Sequence, residues 1–174
     1  MPNRPLPPPA SHYLLAAQGW LELGDAESAG EELAAIGVEN HGHPDFIEVS
    51  WHLEARHRNW ERCIEMAELL IRASPERVDG WIHLSFALHE LHRTTEAFEQ
   101  LLTVVDRFPK VWTIPYNLAC YCAQVGRLDE AKEWYEKAAA QDRAAVESAS
   151  EADSDLDPIR SWILSKKRTR KDEL

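Results

Sequence analysis

The sequence predicts an all-α protein built as a stacked array of antiparallel helix pairs, and three observations carry that prediction. Two residue series recur at a spacing of 34: Ala29, Cys63, Ala97 and Ala131 at one position, and Gly24, Arg58, His92 and Gly126 at another. Apolar residues within each interval follow a 3.6-residue period, as one buried stripe of a helix requires. Each half-interval then ends at a breaker residue. Self-similarity at this period is what helical units leave in a sequence when each buries its apolar face only against the next.

The elements follow in chain order. Residues 1–9 hold five of the ten prolines, which lack amide hydrogens and backbone freedom, so this arm is expected to be extended and mobile. Its RPLPPPA also has the form of a ligand for proline-recognition modules. From Ala10 the units run 10–43, 44–77, 78–111 and 112–145 without insertion. In the first, Gly24-Asp25 makes the turn between helices, because glycine takes a positive φ without penalty. Pro75 closes the second unit and Pro109 the third. The third shows its stripes plainly: Trp81, Leu84, Ala87, Leu88 and Leu91 on the first helix, then Ala97, Leu101, Val104 and Val105 on the second. Between them Thr94 or Thr95 is expected to cap the second helix by accepting from first-turn amides. In the fourth unit Gly126-Arg127 turns the chain, and Pro115 is tolerated if the helix begins near Thr113.

After Asp142 the register dissolves. A solenoid end exposes an apolar face and needs a cap with a polar outer side. Residues 146–165 are read as a linker and capping helix, with Ile159, Trp162, Ile163 and Leu164 covering the last pair. Residues 166–174 are read as a solvated basic tail. Its final Lys171-Asp172-Glu173-Leu174 spells a luminal retrieval signal, read as coincidence because no entry signal accompanies it.

These residues resemble the tetratricopeptide repeat: a small residue at the twentieth position of each unit, Gly24 and Gly126 at the fifteenth, Pro75 and Pro109 at the thirty-second, and Trp81 with Leu84 at the fourth and seventh. NLACYCAQVGRLDEAKEWYEKA in the fourth unit resembles the family almost throughout, and DSDLDPIRSWI resembles its C-terminal cap. The resemblance covers about 136 residues. It implies a right-handed superhelix of helix pairs whose first helices line a concave groove. The second unit departs from the pattern, with Trp51 and Arg58 at positions usually small; Trp51 either pries the pair apart or fills a gap.

Bulk properties narrow the function. The length of 174 residues predicts a single domain, and three cysteines make no disulfide framework, so a reducing, cytoplasmic setting is expected. The first twenty residues contain no apolar run long enough for a secretory signal or a membrane span. The net charge of −11 hides an asymmetry: setting aside residues 166–174 leaves 14 basic and 28 acidic residues, a body near −14. Such a body repels nucleic acid and anionic lipid, so neither is an expected partner.

The family register, carried over residue by residue, implies a ligand-facing groove that includes Gln18, Glu48, His52, Ile82, His83, Phe86, His89, Tyr116 and Asn117. The carboxylate-clamp members of the family need lysine, asparagine and arginine at several of these places, and only Asn117 matches. What remains is aromatic and histidine-rich. The same register makes His52 and His83 neighbours, a polar spot beside Phe86 and Tyr116.

Eight histidines raise the question of metal. His41, His43 and Asp45 fall together in HGHPD, and His52 with His83 offers a second pair. No spacing matches a structural zinc pattern and two ligands make no tight site, so no metal or cofactor is assigned. Cys120 and Cys122 point in different directions on a helix and are read as buried, inert thiols. Nothing matches a phosphate loop or a nucleophile elbow, and no catalytic residue is assigned. Trp20, Trp51, Trp81 and Trp112 recur on first helices, where they are expected to seal contacts between units; Trp60 and Trp134, on second helices, suit either core packing or an outward patch.

The expected function is a non-catalytic adaptor or scaffold that binds a protein or peptide in the groove of the array. A small secretion-type or assembly chaperone is the first alternative, and a structural subunit that packs permanently against a partner or itself is the second. Because Ala97 sits at the small-residue contact between paired helices, Ala97→Leu is expected to overpack it at a cost of roughly 1–3 kcal/mol; an unchanged thermal midpoint would refute the register.

Overall fold

The computed structural model describes residues 5–172, with side chains described to Arg168. Residues 1–4 at the start of the proline-rich arm, and Glu173 and Leu174 at the end of the Lys-Asp-Glu-Leu sequence, lie outside the described residues. Within them the fold is all-α, the class that the periodicity predicts. The chain divides into two compact units between Leu91 and His92, where its length alone predicts one.

The first unit contains α1 (Ala10–Leu23), α2 (Ala26–Ala34), α3 (Pro44–Arg56), α4 (Trp60–Ala73) and α5 (Asp79–Glu90), with a 3-10 turn at Val38–Asn40. The helices pack as α1 on α2, α3 on α4 and α4 on α5, and α3 also meets α1 and α5. Leu14, Ala17, Leu21, Ala29, Leu33 and Val49 build the core around the first pair. Leu6 of the proline-rich arm is buried in the same cluster, so the described end of that arm is packed where an extended, mobile segment is expected. On α5, Gly80 gives the close approach to α4: a Cβ there would lie 2.9 Å from Ile71 Cγ1 and 3.1 Å from its backbone nitrogen.

The second unit contains α6 (Thr94–Leu102), α7 (Thr113–Gln124), α8 (Leu128–Gln141), α9 (Arg143–Ala149) and α10 (Arg160–Asp172), with a 3-10 segment at Ser154–Ile159. The pair α7 and α8 forms its centre, and α6 packs on α7. Helix α7 does begin at Thr113, which puts Pro115 in its first turn. The N-cap of α6 is Arg93, which makes no side-chain cap bond, and Thr94, expected at the cap, is already helical. Leu156, Ile159 and Ile163 are buried at the cap, whereas Leu164, expected there, is 47% exposed. The helical backbone continues to Asp172, through residues read as a loose basic tail.

All four residues of the turn series adopt the left-handed conformation: Gly24 at φ 83°, Arg58 at 57°, His92 at 61° and Gly126 at 79°. Around Gly24, Arg58 and Gly126 the chain reverses through paired backbone bonds. Gly24 and Asp25 donate to Leu21 and Trp20, Arg58 and Asn59 to Ala55 and Glu54, and Gly126 and Arg127 to Ala123 and Cys122. These bonds satisfy the last helical carbonyls, and side chains with a Cβ make the same turn only against steric resistance. The small residues five positions later, Ala29, Cys63, Ala97 and Ala131, are fully buried. Replacing Arg58 by glycine is therefore expected to stabilise the protein by about 1 kcal/mol, and Gly126→Ala to destabilise it by a similar amount. Urea midpoints of the two variants measure this; a lower midpoint for Arg58→Gly would contradict it.

Candidate functional site

The candidate site lies in the first unit, on faces of α1, α3 and α5. Helix α3 starts at a proline whose missing amide hydrogen costs nothing in a first turn, with His43 Nδ1 accepting from the Asp45 amide at 3.2 Å. The preceding His41 stacks on Phe46, ring centroids 4.4 Å apart, and its Nε2 lies 3.0 Å from the Ile36 carbonyl oxygen. The two histidines of HGHPD thus stitch the entry to α3.

One turn further along α3, Glu48 and His52 stand four residues apart and share a face of the helix. His83 of α5 comes to meet them. Its ring lies 5.1 Å from that of His52, edge to face, so the neighbours expected from the register are neighbours. Trp51 is buried and stacks flat on His83, with centroids 3.9 Å apart and planes 9° from parallel. The bulky Trp51 therefore fills the gap between α3 and α5. Its backbone carbonyl is 3.8 Å from Cys63 Sγ on α4, the short side chain that lets the two helices close. Phe86, 38% exposed, lies 6.3 Å from Trp51 and 5.7 Å from Trp60, extending the aromatic surface along α5.

A charged fork sits beside this surface. Arg77, in the turn between α4 and α5, bonds Asp45 at 2.7 Å and Asp79 at 3.2 Å and pairs closely with Glu48 Oε2. Burial nevertheless raises the Glu48 carboxyl above its ordinary range, with Arg77 opposing the rise. Burial also lowers both imidazoles. His52 falls below its ordinary value, and His83, further penalised by His52, is pushed down to about 3. Both are neutral near pH 7, and His83 Nε2 is buried without a hydrogen-bond partner.

On its other side His52 borders a cleft of about 370 Å³ between α1 and α3, lined by Gln18, Leu21, Glu22, Val49 and Arg56. Arg56 spans it, donating to the Leu21 carbonyl at 3.1 Å. Ile82 and His89, on α5, are half-buried.

In the second unit the register positions are differently employed. Tyr116 is buried; its hydroxyl donates to Asp153 at 2.7 Å, and Cys120 Sγ is 3.5 Å from the same carboxylate oxygen. Gln124 donates to the Asp155 carbonyl at 2.9 Å. Residues 116, 120 and 124 are one face of α7, and the chain's own 153–159 segment covers it. Tyr116, expected as an open groove residue, is thus a packing residue; Asn117 beside it is half-buried. The cysteines are buried, and burial raises Cys63 to about 12 and Cys122 to about 11, holding both as thiols. Of the tryptophans on first helices, Trp20 is 37% exposed and seals little, whereas Trp51 is central. Trp134 on α8 lies under Lys137 Nζ at 3.8 Å.

Sequence reasoning places Glu48 in the groove without joining it to the histidines, and it misses Arg77 as their support. The spacing of Glu48 and His52 was a readable signal. The approach of α5 that makes the pair a trio was not.

No family model matches the chain, and no curated protein matches it. Solved structures do. The crystal structure of MamA superposes with a TM-score of 0.68 at 14% identity, over 80% of this chain and 81% of that one. MamA from Desulfovibrio magneticus RS-1, from residue 41 to its end, gives 0.65 at 19% identity, over 77% and 76%. MamA MSR-1 gives 0.64 at 17% identity, over 78% of each chain. At these identities the likeness is one of fold, and the fold is of the tetratricopeptide-like helix-pair class. No helix among the described residues is long and apolar enough to cross a membrane.

The site makes stability depend on pH. An unfolded chain protonates His83 below about pH 6.5, whereas the folded protein resists until about pH 3. The contribution is whole above pH 6.5 and is lost progressively as pH falls toward 3. Glu48, whose folded pKa is raised, works in the opposite sense, and Asp79 favours protonation of both imidazoles while Arg77 opposes that of His83. Between pH 7.5 and pH 5 the wild type is expected to lose roughly 2 kcal/mol more than His83→Phe in chelator-treated urea titrations. Parallel losses in the two proteins would show that His83 is not held neutral.

Proposed function

We propose that this chain is a non-catalytic adaptor that binds a protein or peptide on the aromatic and histidine-rich face of its first unit. The observation that carries the reading is the partly exposed Phe86 beside Trp51 and Trp60, with the neutral pair His52 and His83 next to it. An apolar anchor of the partner seats against Phe86, because exposed aromatic surface held rigid by packing loses little entropy on binding. Polar groups of the partner meet His52, Gln18 and Arg56 along the α1–α3 cleft. Partner selection rests with this unit, since the equivalent face of α7 is taken by residues 153–159. The acidic body disfavours nucleic acid and anionic membrane, and the buried, unpaired cysteines fit a reducing cytoplasm.

Capture of a stoichiometric partner from the native lysate, followed by binding measurements with purified components, tests this. Phe86→Ala is expected to weaken binding about thirtyfold, the loss of an aromatic anchor of about 2 kcal/mol, with helical circular dichroism unchanged. Leu23→Ala, exposed at the end of α1, serves as the control. Equal binding by Phe86→Ala would sink the proposal, as would substrate turnover by the chain without any partner.

A further inference from the structure

We propose that Glu48, His52 and His83 form a binding site for one divalent transition-metal ion of the zinc class, through two imidazole nitrogens and one carboxylate oxygen. One ligand atom from each of the three lies within 4.8 Å of the others. Bonds of about 2.0–2.2 Å to a tetrahedral zinc place ligand atoms roughly 3.3–3.6 Å apart, so side-chain adjustments of about 1 Å complete the site. The separation of Glu48 and His52 by four residues supplies two ligands from one helix face, and α5 supplies the third.

The surroundings suit the ion. His83 is pinned by its stack on Trp51, and its buried Nε2 lacks a partner, an uncommon condition that a bond to a metal would relieve. Glu48 is oriented by Arg77, which engages Oε2 and leaves the other carboxylate oxygen for coordination. Asp45, Glu48 and Asp79 surround that single guanidinium, so the local field stays attractive to a cation. Coordination needs neutral imidazoles; burial holds His83 in that form, and partial desolvation of the otherwise exposed His52 favours it there too. Two nitrogens and one oxygen favour zinc or cobalt over calcium or magnesium, which take oxygen ligands. Three protein ligands leave a coordination position open. His41 and His43, the more conspicuous pair in the sequence, are engaged with Phe46, Ile36 and the α3 cap.

This inference goes beyond the adaptor reading and does not need it. The test uses the tag-free, chelator-treated full chain, titrated with zinc chloride by calorimetry and with cobalt(II) by visible absorption. One equivalent of zinc is expected to bind, and cobalt to develop the intense ligand-field bands of a low-symmetry site. His52→Ala, exposed and so tolerated by the fold, and Glu48→Gln are each expected to weaken zinc binding at least tenfold. The double variant His41→Ala with His43→Ala is expected to leave it unchanged. Because His83→Ala also empties the stack under Trp51, His83 is followed instead by the zinc-induced shift of its imidazole nitrogens in NMR spectra. Absence of stoichiometric binding, equal affinity in His52→Ala, loss in the His41/His43 variant, or an unmoved His83 resonance would each overturn the site. Partner capture repeated in chelator separates the two readings, since the adaptor stands or falls there without metal.

Discussion

The tight reversal between paired helices is the constraint on which the rest of each unit depends. A left-handed residue ends the first helix, two backbone bonds close the turn, and the returning helix presents a fully buried small residue to its partner. Close approach then lets the next helix settle on the pair, as α5 does on α4 at Gly80. Where glycine supplies the turn the conformation is nearly free. Where Arg58 supplies it the backbone is held against its own preference by the packing of α3 on α4.

That packing gives the site its character. Closing α3 toward α5 buries a tryptophan against a histidine, and the histidine becomes a neutral, unpartnered polar group in a crowded place. Proteins seldom keep such a group without a use, because the same volume filled with hydrocarbon would be more stable. Arg77 adds a second restraint by tying the start of α5 to two carboxylates of α3. The face of the first unit is thereby rigid, amphipathic and chemically distinct.

The second unit shows how one sequence register serves two ends. Residues 116, 120 and 124 occupy the same helical face that Glu48 and His52 occupy on α3, yet they hydrogen-bond the segment leading into the cap. Leu156 and Ile159 bury themselves there, so covering α7 is part of how the array ends.

The period of 34 residues, the glycine turns, the start of α7 at Thr113 and the small-residue contacts were all legible in the amino-acid sequence, because each rests on local backbone preference or on spacing along one helix. By itself the sequence determined the all-α class and the adjacency of His52 and His83 through the family register. It did not reveal that Trp51 fills a gap, that Leu6 is buried, or that Tyr116 faces Asp153. Nor could it join Glu48 to His83 or set Arg77 among three carboxylates. Most of those features are contacts between residues 29 to 37 positions apart, from Arg77 with Glu48 to Tyr116 with Asp153, and their geometry follows from how helices of particular side-chain volume nest, which only the tertiary structure decides.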